Sequence, residues 1–305
     1  MADTLHELGC DVAMVTDTPG DDPEKILGVL GVHLVANEGS DTLLPEGFVP
    51  ELAVLASPVW RSHPVAQAVA DSGGAVWSEV EFSFRVADRY GSRPRFVFLA
   101  GHRAGDPVSQ LASALCWGGG LRAVTVGSLG QTALDAIRDP AQWEMLIWPL
   151  GINELHDLVH DTDPLRSPFV SLALDGDSTL TAKAMDAVYF RTEYACIYSR
   201  GGGPSERALE EAWVEEGARA IGVGLDSPGM SDLGIVDDIV CDRAFLDDRR
   251  HRALELTTLG ELERVGISTP QDVTWLLAAC AIARAVNVSP EDVGEAIRRL
   301  KPGKP

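Results

Sequence analysis

Lysine is nearly missing from this chain of 305 residues: Lys25, Lys183, Lys301 and Lys304 are all it has, and arginine carries most of the positive charge. Compact ammonium groups, the usual point charges for phosphate, are therefore scarce. Positive charge as a whole is short, with 25 Lys and Arg against 46 Asp and Glu and a formal net charge of −21. So acidic a surface repels phosphate backbones and argues against sequence-independent nucleic-acid binding. No apolar run approaches the ~18 residues of a membrane span, and no basic-then-apolar leader opens the chain, so a cytoplasmic protein without a membrane partner is expected. Paired cysteine spacing is also lacking. Cys10, Cys116, Cys196, Cys241 and Cys280 are scattered, which predicts buried free thiols in a reducing compartment and no cysteine metal site.

What is present is a globular composition, 45% hydrophobic, long enough for two domains with cores of their own. Short apolar runs alternate with helical patterns: strands at Asp11–Thr16, Val32–Val35, Leu52–Ala56 and Ala75–Trp77, with helices at Pro23–Leu30, Pro64–Asp71 and from Glu79. That alternation predicts an α/β fold with a parallel sheet. Asp88–Pro94 has linker composition, so the domains are placed at 1–92 and 93–305. The second domain carries strands at Arg122–Val126, Met145–Trp148, Phe169–Leu174, Ala195–Tyr198 and Ala220–Val223, with helices at Ser205–Glu216, Pro270–Ala285 and Pro290–Leu300. Ile235-Val236 and Ile239–Cys241 flank Asp237-Asp238 as a hairpin.

The stretch RFVFLAGHRAGDPVSQL, Arg95 to Leu111, organises that domain. A buried strand runs into Gly101 and Gly105, and an apolar-faced helix follows, which is the outline of a phosphate loop. Where such a loop needs a lysine and a hydroxyl, the chain offers Gly105, Asp106 and Pro107. The aspartate repels phosphate, and the proline removes a backbone N–H from the cradle. His156 and His160, beside Asp157, Asp161 and Asp163, have a spacing that can hold a metal on a helix; without a third ligand at proper spacing, a solvated surface is the expected reading, and no metal site is assigned.

Several stretches, taken in order, resemble the Mur ligase family, in particular its D-glutamate-adding (MurD) branch: LGCDVAMVTD at Leu8–Asp17, the run Pro50–Phe82, the loop region from Arg95, LRAVTVGSLGQTALDAI at Leu121–Ile137, WEMLIWPLGINELH at Trp143–His156, and QDVTWLLAACAIARAVNV at Gln271–Val288. The resemblance implies a shortened Rossmann-like N-terminal domain for a UDP-linked substrate, its first strand and glycine turn missing. It implies a central, P-loop-like α/β domain with a mainly parallel sheet after it, and a C-terminal ligase domain that this chain lacks.

Carried over by position, the ATP machinery is altered throughout. Gly105 stands at the lysine of the family's G-T-N-G-K-T-T loop, Pro149 at its magnesium-binding glutamate, Ser178 at a metal-binding histidine and Met185 at the modified lysine that bridges the metals. Gln271, Asp272 and Trp275 replace an H-N-x-x-N motif near ATP. Losing one electrostatic contact to a transferring phosphoryl group typically costs ~10²–10³ in rate, so loss of ATP and magnesium is expected, with no cofactor. The nucleotide-sugar side is better kept: Asp17 at the acid that contacts uracil, Ser57-Pro58 at the family's S-P-G, and Gly127, Ser128, Leu129 and Gly130 at the turn that approaches the diphosphate. These residues serve either a UDP-type ligand or simply as strand-end caps and turns.

The leading expectation is a Mur-type pseudoenzyme that no longer ligates and acts by binding a metabolite or a protein partner, a second copy of the chain included. The alternative is a repurposed, ATP-independent enzyme of specialised metabolism, whose cleft would use His102 with Asp177 or Glu154 as an acid–base pair. A UDP-N-acetylmuramoyl-L-alanine:D-glutamate ligase completed by a separate chain is the third.

Overall fold

The computed structural model describes residues 1–17, 22–91, 94–100, 107–127, 131–139, 143–176 and 180–301. The chain divides into two compact units, Met1–Val86 with Asp157–Leu165, and Ala87–His156 with Arg166–Pro305.

The first unit holds α1 (Ala2–Glu7), β1 (Ala13–Thr16), α2 (Asp22–Val29), β2 (His33–Ala36), β3 (Leu52–Leu55), α3 (Pro64–Asp71), β4 (Ala75–Ser78) and the start of α4 (Glu79–Tyr90). Its strands form two separate parallel pairs, β1 with β2 and β3 with β4. The β3–β4 pair and α3 share a small core of Leu55, Ala66, Val69 and Val76. The segment Asp157–Leu165 joins this unit through charge: Asp157 and Asp161, both buried, pair with the Arg61 guanidinium, and Asp161 also accepts the Ser78 N–H at 2.6 Å and its hydroxyl at 2.7 Å. Thr162 exchanges backbone and hydroxyl bonds with Val76 and takes the Trp77 indole N–H on its carbonyl at 2.9 Å. α4 continues through Tyr90, so the linker composition begins inside a helix whose buried face, Val80, Phe82, Val86 and Ala87, overrides it.

The second unit runs β5 (Arg95–Ala100), α5 (Pro107–Gly118), β6 (Ala123–Thr125), α6 (Ala133–Arg138), β7 (Met145–Leu150), α7 (Ile152–Leu158, whose last two residues belong to the first unit), β8 (Val170–Ala173), α8 (Ala182–Tyr189), β9 (Ala195–Ser199), α9 (Pro204–Glu211), β10 (Arg219–Val223), β11 (Asp232–Val236), β12 (Ile239–Asp242), β13 (Leu254–Thr258), α10 (Leu259–Arg264), α11 (Pro270–Ala285) and α12 (Pro290–Arg298). One nine-stranded sheet, ordered β13-β12-β11-β10-β9-β8-β5-β7-β6, organises it. Every neighbouring pair is parallel except β11–β12 and β12–β13. Parallel strands covered on both faces read as unbroken apolar runs, as Phe96–Ala100 and Met145–Leu150 do, all buried. α11 is buried from Leu276 to Ala285 and packs on α5, which explains a sequence apolar all round the helix.

Two local expectations change. α9 stops at Glu211, short of Glu216, and the backbone beyond it bonds elsewhere: the Trp213 carbonyl accepts the Arg191 N–H and the Glu215 N–H donates to the Thr192 carbonyl. α7 and α8 fall between Trp148 and Phe169 and between Leu174 and Ala195, stretches to which the sequence reading assigns no element. Among the described residues no helix is long and apolar enough to cross a membrane.

Candidate functional site

In the first unit the carboxyl ends of β1 and β2 lie side by side, with Thr16 opposite Ala36. The next residues, Asp17 and Asn37, therefore emerge together, and the Asn37 carboxamide nitrogen donates to the Asp17 carboxylate at 2.6 Å. His63 caps α3 by accepting the Val65 N–H on Nδ1 at 3.2 Å, and its Nε2 lies 2.9 Å from Asn37 Oδ1. The Trp60 ring sits 5.3 Å from the imidazole. Ser57 leaves β3 in extended conformation at the N-cap of a short turn, Pro58–Ser62, and its side chain makes no capping bond. Asp17 and Ser57 are thus placed where ligands approach parallel sheets, beyond the carboxyl ends of the strands. Asn37 and His63 carry no local motif. Only the His-Pro step at the head of α3 signals a cap.

In the second unit, Gly127 follows β6 with φ +117, a conformation open to glycine, and a β-carbon there would meet the Trp148 indole nitrogen at 3.2 Å. Ser128 lies outside the described residues, as do Gly101, His102, Gly105 and Asp106 of the degenerate loop, and Asp177 and Ser178. The loop is bracketed by β5 and α5, with Pro107 as the first residue of the helix. Of the acid–base set, Glu154 is described: it lies in the first turn of α7, half-buried, its carboxylate folded against Gly151.

Around β8 and β9 the carboxyl edge of the sheet is filled by the chain's own acids. The glycine turn Gly201–Gly203 links β9 to α9, a strand–turn–helix arrangement whose amides suit an anion. Glu206 Oε2 accepts the N–H groups of Gly201 and Gly202, at 3.2 and 2.6 Å. Asp175 Oδ1 accepts Ser205 N–H at the helix N-terminus at 2.8 Å. The neighbouring Arg200 pairs with Asp226 and, at 3.3 Å, with Asp232. The Tyr198 hydroxyl is pushed above the usual phenol range by burial, then by the charges of Asp232 and Glu206.

The residues that the resemblance sets at metal- and ATP-handling positions have these surroundings. Met185 is buried in α8, while Lys183 is exposed on the same helix. Pro149 in β7 pairs with Leu99 of β5 and lies beyond Ile147, the last residue of β7 with a β6 partner among the described residues. Asp272 forms the capping box of α11 with Thr269, and Trp275 packs against the core. His156 ends up in α7 and His160 beyond its end, so the two do not share a helix face, and the acid between them, Asp157, is engaged by Arg61. No three His, Cys, Asp or Glu side chains converge as a metal site among the described residues.

No family model matches the chain. It is 37% identical over 308 residues to the UDP-N-acetylmuramoylalanine–D-glutamate ligase of Leifsonia xyli, covering 95% of this chain and 59% of the relative. The enzyme of the same name from Streptomyces coelicolor is 33% identical over 313 residues, covering 99% of this chain and 64% of the relative. The chain thus spans about three fifths of the length of these curated relatives. In fold it is similar to the murein peptide ligase of Psychrobacter arcticus, with a TM-score of 0.53 at 14% identity, covering 98% of this chain and 65% of that one. The UDP-N-acetylmuramate:L-alanyl-γ-D-glutamyl-meso-diaminopimelate ligase of Neisseria meningitidis gives a TM-score of 0.53 at 12% identity, covering 98% and 93%. Sequence identity along the chain and the shared α/β architecture agree: the chain belongs to the Mur ligase family.

Proposed function

We propose that this chain is a non-ligating Mur-type protein that binds a UDP-linked ligand of the kind named for its relatives, UDP-N-acetylmuramoylalanine, and does not use ATP. The observation that carries this reading is the internal filling of the anion-accepting groups around β9: Glu206 on Gly201 and Gly202, Asp175 on Ser205, and Asp226 and Asp232 on Arg200. A nucleoside triphosphate arriving at this edge meets four carboxylates at groups that would otherwise neutralise it. The residues do not fit a bridging metal either, since Met185 is buried and has no group for a hard cation. On the first unit, by contrast, Asp17 is exposed and held in place at a strand end. There the chain's own residues bind and orient; no proton transfer is assigned to them.

Isothermal titration calorimetry separates the parts of this reading. UDP-N-acetylmuramoylalanine is expected to give a saturable heat and ATP with magnesium none. Saturable ATP·Mg binding at micromolar concentration would overturn the loss of ATP use, and no heat from the UDP compound would overturn the ligand.

A further inference from the structure

The amino edge of the second unit's sheet holds a cavity of about 590 Å³, lined by Tyr194, Arg219, Phe245, Arg249, Arg284 and Asn287, with Asp247 as its one acid. That volume is ordinary for a small-molecule site. Tyr194 directly precedes β9 and the turn Gly201–Gly203 follows it, so the length of a strand separates this cavity from the acid-filled edge. The balance of charge is reversed here. Arg284 is neutralised by the buried Asp242 at 2.7 Å and also donates to the carbonyls of Phe245 and Val288. Arg219 lies over the Phe245 ring at 5.2 Å and donates to the Ala244 carbonyl. Among the described residues neither Arg219 nor Arg249 has a carboxylate within ion-pair distance, and the Arg249 side chain makes no hydrogen bond. The loop between β12 and β13 that carries Phe245 and Arg249 is pinned at both ends. Asp242 Oδ1 accepts the Ala244 and Phe245 N–H groups at 2.7 and 2.9 Å, and the Arg243 guanidinium donates to the carbonyls of Arg249 at 2.9 Å and Pro228 at 3.0 Å. Two guanidinium groups without counter-charges are thus carried on a preformed wall, where an anion would relieve their repulsion.

We infer that this cavity is a binding site for a small organic anion carrying two carboxylates, one paired by Arg219 and the other by Arg249. Guanidinium forks fit carboxylates and phosphates alike. A phosphate cradle also uses backbone N–H groups or a lysine. Here the Ala244 and Phe245 amides are already taken by Asp242, and no lysine lines the cavity. What is left is two flat forks and the Asn287 amide, which match the two coplanar oxygens of a carboxylate, with the Tyr194 and Phe245 rings as apolar wall. The site belongs wholly to the second unit and does not depend on the UDP-ligand reading.

The test is calorimetry of the whole chain at low ionic strength with succinate, acetate and inorganic phosphate, on the wild type, Arg219→Gln, Arg249→Gln and Arg250→Gln. Succinate should give a saturable heat with a dissociation constant of about 1 mM or below, and acetate and phosphate should bind about tenfold more weakly or worse. Removing one charge-assisted pair should weaken succinate about tenfold in Arg249→Gln and in Arg219→Gln. Arg249 has no side-chain bond to lose, so its variant should keep the wild-type unfolding temperature and decides the matter if Arg219→Gln disturbs the loop. Arg250 is exposed on the same loop but does not line the cavity, and Arg250→Gln should bind succinate as the wild type does. No saturable heat from succinate, or unchanged binding in Arg249→Gln, overturns the site. An equal loss in Arg250→Gln would reduce it to surface charge, and phosphate binding as tightly as succinate would overturn the carboxylate assignment.

Discussion

The carboxylate of Asp175 occupies the space where a side chain on Gly203 would begin: its Oδ2 overlaps the position of a β-carbon on that glycine. Gly203 has an ordinary extended backbone, φ −75 and ψ −178, so the requirement for glycine is steric and set by a residue on another strand end. Asp175 in turn serves as the side-chain cap that α9 does not get from its own N-cap residue.

Gly203→Ala should therefore act through Asp175. The added methyl pushes the carboxylate off Ser205 N–H, and losing a helix cap costs about 1 kcal/mol. In an Asp175→Ala background the same substitution should cost much less. Urea unfolding of the two single variants and the double variant gives the coupling directly, and additive losses would show that the two sites are independent.

Arg61→Ala should be among the most damaging single changes in the first unit. It strips the counter-charge from Asp157 and Asp161, which are 4% and 0% exposed at their side chains. Breaking such a buried pair from one side costs about 3–5 kcal/mol. Arg61→Lys keeps the charge but cannot reach both acids and the His160 carbonyl in one planar fork, so it should fall between. Thermal unfolding orders the three proteins; equal stability of Arg61→Ala and the wild type would remove the arginine from any structural role.

Thiol chemistry should separate Cys10 from the rest. Cys116, Cys196, Cys241 and Cys280 are buried, while Cys10 is exposed at the turn after α1, an exception to the expectation of uniformly buried thiols. Burial pushes Cys116 and Cys196 up to about 12, and raises Cys241 and Cys280 as well. With a disulfide reagent at pH 8, one thiol per chain should react quickly and the remaining four only on unfolding.

The same shifts fix an alkaline limit. In the unfolded chain these thiols ionise in the ordinary range near pH 8.5, whereas in the folded chain they stay protonated, so the native state binds more protons. Stability is then complete below that range and falls as pH rises toward the folded values, by up to about 1.4 kcal/mol per unit for each buried thiol. Cys116→Ala should flatten the decline of the urea midpoint between pH 9 and 11. An unchanged slope would rule out that thiol as a contributor.

Several features were legible because they are local. β5 from Phe96 onward and β7 are continuous apolar runs, as strands covered on both faces must be, and α11 announces itself by length and by the Thr269–Asp272 cap. The family resemblance along the chain was legible too, from colinear stretches that each depart from the pattern. α7 and α8 were not, because helices of seven and eight residues are too short for an apolar face to show its period. The backbone after α9 bonds between 213–215 and 191–192, across about twenty residues of chain, and no window of sequence contains both partners.

By itself the sequence determined the fold class, the parallel order of alternating elements and the resemblance to the Mur ligases. It did so because secondary-structure periodicity and motif identity are properties of neighbours in the chain. Only the tertiary structure decided which side chains meet. It put Asp175 on the α9 N-terminus, Glu206 on the glycine turn, Asp157–Leu165 in the first unit, and Asn37 and His63 behind Asp17. Each of these is a hydrogen bond or ion pair between residues that meet when strand ends and helix caps converge, and its strength depends on a direction and a burial that sequence does not contain.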